Sequence, residues 1–68
     1  MLWLTTSPCS ETSDDGTFTI RWHETGFGWM SVEAWCKDRQ IGVYAGDFEE
    51  KRQKARDACQ RMAAGWVS

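Results

Sequence analysis

The chain has 68 residues, with eight Lys and Arg against ten Asp and Glu for a formal charge of -2. At 41% hydrophobic and 26% charged, it has the composition of a globular chain rather than a disordered tail, and its length implies one domain over residues 1–68. No stretch approaches the roughly 18 apolar residues of a membrane span. Met1-Leu2-Trp3-Leu4 has neither the basic start nor the length of a signal peptide.

Residues 1–16 read as an acidic leader. Pro8 and Ser13-Asp14-Asp15-Gly16 signal turns, and the charge comes from Glu11, Asp14 and Asp15 with no basic residue. Leu2-Trp3-Leu4 is placed to dock as an extra N-terminal edge strand. The rest of the chain holds eight basic and seven acidic side chains, so the net acidity belongs to the leader.

From Thr17 to His23, Phe18, Ile20 and Trp22 alternate with Thr17, Thr19, Arg21 and His23. Glu24 to Gly28 reads as a loop with two glycines. From Trp29 to Cys36, Met30, Val32, Ala34 and Cys36 alternate with Trp29, Ser31, Glu33 and Trp35. After a Lys37-Asp38 turn, Arg39 to Ala45 sets Ile41, Val43 and Ala45 against Gln40, Gly42 and Tyr44. These are three half-buried strands, a meander over residues 17–45. The loop lengths pair His23 with Trp29, hence Ile20 with Val32, and Cys36 with Arg39, hence Val32 with Val43. Both registers keep the apolar sets on one face.

Asp47, with Glu50 three residues on, has the spacing of a capping box and opens a helix over residues 47–64. Phe48, Ala55, Ala58, Cys59 and Met62 form its apolar stripe, Gly65 ends it, and Trp66 follows as a hydrophobic clamp. The expected fold class is α+β: a three-stranded antiparallel sheet packed on one C-terminal helix, with the N-terminal edge strand as an addition.

The three cysteines, Cys9, Cys36 and Cys59, form no close pair, and their odd number points to a reducing cytoplasm. A zinc site would have to draw these thiols and His23 from four separate parts of the chain. No metal or cofactor is therefore expected, and Cys36 and Cys59 read as small core residues. His23 is the only histidine, with no nucleophile and orienting carboxylate beside it, and Gly26 and Gly28 belong to a hairpin rather than a phosphate loop. The expectation is a protein without enzymatic activity.

With the helix on one face, the expected register fills the other with rows: His23 beside Trp29; Arg21, Ser31 and Tyr44; Thr19, Glu33 and Gly42; Thr17, Trp35 and Gln40. Exposed aromatic residues with arginine have the composition of binding hot spots. Arg21, His23, Trp29, Trp35 and Tyr44 are thus candidate partner-binding residues, with Glu11, Asp14 and Asp15 as electrostatic contacts. Two other readings stay open: the leader folds back over this face as a second small core, or a homodimer covers it. On the helix, Lys51, Arg52, Lys54, Arg56 and Arg61 interleave with Glu49, Glu50 and Asp57, as on a solvated, ion-paired face.

The run Val43-Tyr44-Ala45-Gly46-Asp47-Phe48-Glu49-Glu50, followed by Ala55, Ala58 and Ala63 after a three-stranded meander, resembles the plant AP2 and phage integrase arm-binding domains. That resemblance implies DNA reading from the open sheet, with Arg21, Trp29, Trp35, Lys37 and Arg39 as matching residues; Lys54 and Arg56 would add nucleic-acid contacts from the helix. The chain departs from this pattern by having few arginines on the sheet and Glu33 at its centre. In type it is similar to small phage or mobile-element proteins, among them the anti-CRISPR inhibitors. That likeness implies a host protein or ribonucleoprotein complex as partner, bound by surface contact in the host cytoplasm by a monomer or homodimer.

Overall fold

Apolar alternation along residues 17–45 requires a sheet buried on one face. The computed structural model, which describes residues 1–65, places that sheet against a single C-terminal helix. The architecture is α+β, with antiparallel strands ordered as in the chain: β1 (Trp3–Ser7), β2 (Ser10–Ser13), β3 (Phe18–Gly26), β4 (Trp29–Cys36) and β5 (Arg39–Gly46), then α1 (Phe48–Gly65). Trp66, expected to clamp the helix end, lies outside the described residues.

The sheet therefore has five strands, not three. The leader is a hairpin that extends the sheet sideways, with Trp3 opposite Ser13 and Glu11 opposite Ile20. It neither forms an acidic loop nor folds back over the open face. Its second strand, Ser-Glu-Thr-Ser, has no apolar residue, so hydrophobic alternation gives no sign of it. The inward positions of β2 are polar groups with partners. Glu11, 4% exposed, accepts two hydrogen bonds from one edge of the Arg56 guanidinium, Nη2 to Oε1 at 2.9 Å and Nε to Oε2. Ser13 Oγ accepts the Phe18 N–H at 3.0 Å and donates to Asp15 Oδ1 at 2.7 Å. A buried carboxylate is tolerated when paired and hydrogen-bonded, and a bidentate arginine supplies both conditions.

Phe18 and Ile20 on β3, Val32 and Ala34 on β4, and Ala55 and Cys59 on α1 are fully buried and form the core. Trp22 meets Phe48 edge to face, ring centroids 5.0 Å apart, and closes one end of it. Asp47 Oδ2 accepts the Glu50 N–H at 3.2 Å, so the cap implied by the spacing forms.

Two register details depart from the expectation. β3 runs on to Gly26, and the turn tightens to Phe27-Gly28, both with positive φ (53° and 82°), as a two-residue hairpin turn of this twist requires. Trp22 then faces Val32 and Ile20 faces Ala34, two residues from the expected pairing, and an even shift leaves the faces unchanged. In β5 the Cys36–Arg39 pair forms as expected, but Ile41 is extruded as a bulge, so Gly42 lies opposite Ala34 and Tyr44 opposite Val32. This odd shift exchanges the faces beyond the bulge. Tyr44 turns under the helix and Val43 turns out. The exchange buries the larger surface of the phenol while Ile41, at the bulge, still packs on the core. Gly42 seats the Tyr44 ring: a Cβ there would stand 2.9 Å from the hydroxyl oxygen.

Because Glu11 and Arg56 join β2 to the helix, Glu11→Ala should lower the unfolding free energy by about 1.5–3 kcal/mol, the scale of hydrogen bonds to a charged group. Urea denaturation measures it. Replacing both, Glu11→Leu with Arg56→Met, should cost less than Glu11→Ala alone, because no charge is left stranded.

Candidate interaction surface on the open sheet face

Alternation sends every second side chain of β1 to β5 away from the helix, and no described element covers that side. Pairing brings Thr19, Trp35 and Gln40 into one row, Arg21, Glu33 and Val43 into the next, and His23, Ser31 and Ala45 into a third. β2 extends two of the rows with Thr12 beside Thr19 and Ser10 beside Arg21. There Thr6 Oγ1 lies 3.0 Å from Ser10 Oγ and 3.3 Å from Thr12 Oγ1, a small hydroxyl patch.

Glu33 organises the centre. Its Oε1 accepts Trp35 Nε1–H at 3.2 Å and Gln40 Nε2–H at 3.0 Å, and its Oε2 lies 3.8 Å from His23 Nδ1. Arg21, directly across from Glu33, lays its guanidinium over the Trp35 ring at 5.4 Å from the centroid. Four side chains from three strands are thus held in place around one carboxylate. The face offers an indole, a guanidinium and an imidazole in fixed positions, around an acceptor that already has two donors.

Beyond these rows the β3–β4 hairpin carries two further aromatics. Trp29 is about half exposed, and Phe27, at the apex, is wholly exposed. Thr25, Trp29, Ala45 and Gly46 line a shallow hollow of about 360 Å³ just behind it.

Among the residues expected at the surface, Arg21, His23, Trp29 and Trp35 share the open side. Tyr44 does not, because the bulge at Ile41 turns it toward the helix, where it lines a hollow with Lys54, Asp57, Ala58 and Arg61. Glu11 is buried against Arg56 and is not an exposed electrostatic contact. Arg56 is correspondingly engaged on the helix side, with its guanidinium 5.8 Å from the Trp3 ring centroid, away from the open face. Asp14 and Asp15 are exposed, but Asp15 is occupied in its turn by Ser13 Oγ and the Thr17 N–H. Those hydrogen bonds, the one from Ser13 first, hold its carboxyl below the ordinary aspartate range. Lys37 and Arg39 are exposed at the β4–β5 turn. On the helix, Lys54 lies 3.8 Å and Lys51 3.3 Å from Glu50, and Arg52 2.7 Å from Glu49.

Glu33, Gln40 and Phe27 were not among the expected contacts. The first two already stood on this face in the expected rows; what the true register adds is Arg21 directly opposite Glu33. Phe27 had a local signal, an aromatic between two glycines at a hairpin tip with no strand face to bury on.

Among the described residues no three His, Cys, Asp or Glu side chains gather as a metal site would need, and no helix is long and apolar enough to cross a membrane. The three cysteines are free, and burial pushes the Cys59 thiol up to about 11. Compared with protein families, curated proteins and solved structures, the chain matches none.

The lowered Asp15 carboxyl makes a stabilising contribution that is present above its unfolded-state range and is lost as pH falls through the folded value. On acidification from about pH 4 to about pH 2, the urea midpoint of the native chain should fall further than that of Asp15→Asn. A thiol reagent should label exposed Cys9 first and reach Cys59 only on unfolding, as peptide mapping of partly labelled protein would show.

Proposed function

We propose that this protein is a non-enzymatic binding module that engages a partner protein through its open sheet face, and that it inhibits or modulates the complex to which the partner belongs. Small phage and mobile-element inhibitors of the anti-CRISPR type act in this way. The observation that carries the reading is the constellation around Glu33. An arginine and a tryptophan, the side chains most enriched at binding hot spots, are held there on a rigid and uncovered sheet. Side chains fixed before contact lose little conformational freedom on binding, and this favours affinity from a small surface.

A second reading, DNA recognition by the same face, draws on the arm-binding resemblance. Glu33 disfavours it, since a carboxylate in the central row repels phosphate. Of the basic residues that reading would use, Arg21 stands in the central rows, while Lys37 and Arg39 sit at the turn and Arg56 is paired with Glu11. A protein surface that meets both Arg21 and Glu33 with complementary charge fits the row better than a polyanion does.

Parallel capture from host lysate with the native chain and with Arg21→Glu plus Trp29→Ser, both exposed positions, tests the proposal. A partner retained by the first and lost from the second, with unchanged circular dichroism, is the expected outcome. Equal retention by both would remove this face from the reading. Binding to duplex DNA that weakens steeply with added salt would favour the second reading instead.

A further inference from the structure

The apex of the β3–β4 hairpin differs from the rest of the surface in two respects. Phe27 is 103% exposed, more than any other large apolar side chain among the described residues, and it takes no part in the core. It is also a bulky residue held at a φ of 53°, where the first position of such a turn ordinarily carries Asn, Asp or Gly. Lys37, the other non-glycine described at positive φ, carries a charge that water solvates; Phe27 has no such compensation. Residues 25–32 are uncharged, and Glu24, Glu33 and Asp47, the first charged residues met on leaving this tip along the chain, are all carboxylates. Trp29, on the open side, joins the tip to the sheet face, and the hollow of about 360 Å³ lies beside it.

We propose that Phe27 is the anchor of the partner contact: its ring enters an apolar cleft on the partner protein, and the sheet face beside it supplies the surrounding polar contacts. This rests on the binding-module reading and deepens it by naming the chemistry that the partner presents. Exposure and backbone conformation support it independently. A wholly exposed phenyl ring is unfavourable in water, and its left-handed backbone adds strain from which the fold gains nothing. A ring carried on the tight turn of a paired hairpin loses little freedom on docking, as suits a hot-spot residue. Trp29 and the neighbouring hollow give the rim of such a cleft a seat that keeps water from the ring. A lipid surface fits the same tip less well. One phenyl ring buries less apolar surface than a myristoyl chain, which by itself holds a bilayer only marginally. The flanking carboxylates also oppose an anionic headgroup layer.

Replacing Phe27 with p-benzoylphenylalanine puts a photoreactive ring at the apex. Illumination in host lysate, followed by mass spectrometry, then identifies what the ring meets. One protein crosslinked at apolar side chains is expected, and excess native chain should suppress that crosslink. As a competitor, Phe27→Asn should be at least about tenfold weaker than the native chain. By itself, Phe27→Asn should raise the urea midpoint by roughly 0.5 M, because asparagine suits the left-handed position and no packing is lost. A lowered midpoint would mean that Phe27 serves the fold, and would overturn the proposal. Crosslinks only to phospholipid or to a second copy of this chain, or no protein crosslink that native chain suppresses, would overturn it too. If Phe27→Asn competes like the native chain while Arg21→Glu with Trp29→Ser does not, Phe27 is removed and the binding-module reading stands. A crosslink that survives Arg21→Glu with Trp29→Ser would instead remove the sheet face and keep Phe27 as the anchor.

Discussion

The grip of Arg56 on the buried Glu11 carboxylate is the contact on which the shape of this protein depends. β2 has no apolar side chain to hold it in a sheet, so its place beside β3 rests on backbone pairing and on partners for its polar inward positions. Arg56 provides that partner from the helix, forty-five residues further along the chain. The pair joins the first part of the chain to the last. It also uses the leader to widen the sheet, and so leaves the opposite face uncovered.

That uncovered face is organised by a second carboxylate with a different role. Glu33 is only partly buried and accepts neutral donors from Trp35 and Gln40 instead of a bidentate cation. Its partners converge because three strands are in register at that point. Arg21, released from a direct ion pair, stacks on the indole. One glutamate in this chain thus serves cohesion and the other presentation, and the difference follows from which side of the sheet the alternation assigns to each.

Much of the central fold was legible in the residues. The alternation of Phe18, Ile20, Val32 and Ala34 marks the buried face, and the spacing from Asp47 to Glu50 marks the helix start; both rest on local chemistry. An edge strand at Leu2-Trp3-Leu4 was expected and β1 forms there, but the second strand of the leader was not legible, because hydrophobic periodicity has no signal for a strand whose buried residues are a glutamate and a serine. Part of the candidate surface was lost for another reason. Arg21, His23, Trp29 and Trp35 lie on the open side, as their parity requires, but the extra residue at Ile41 reverses parity for the rest of β5. Tyr44 therefore belongs to the helix side and Val43 to the exposed face.

Sequence by itself determined what local chemistry can determine: an α+β chain with antiparallel strands, a capped C-terminal helix, and the parity of β3 and β4. Tertiary structure supplied the partnership of Glu11 with Arg56, the bulge that exchanges Val43 and Tyr44, and the convergence on Glu33. Each of these depends on the meeting of residues far apart in the chain or on a one-residue shift in pairing. The free energy of such arrangements comes from the assembled packing, which has no local pattern in the chain.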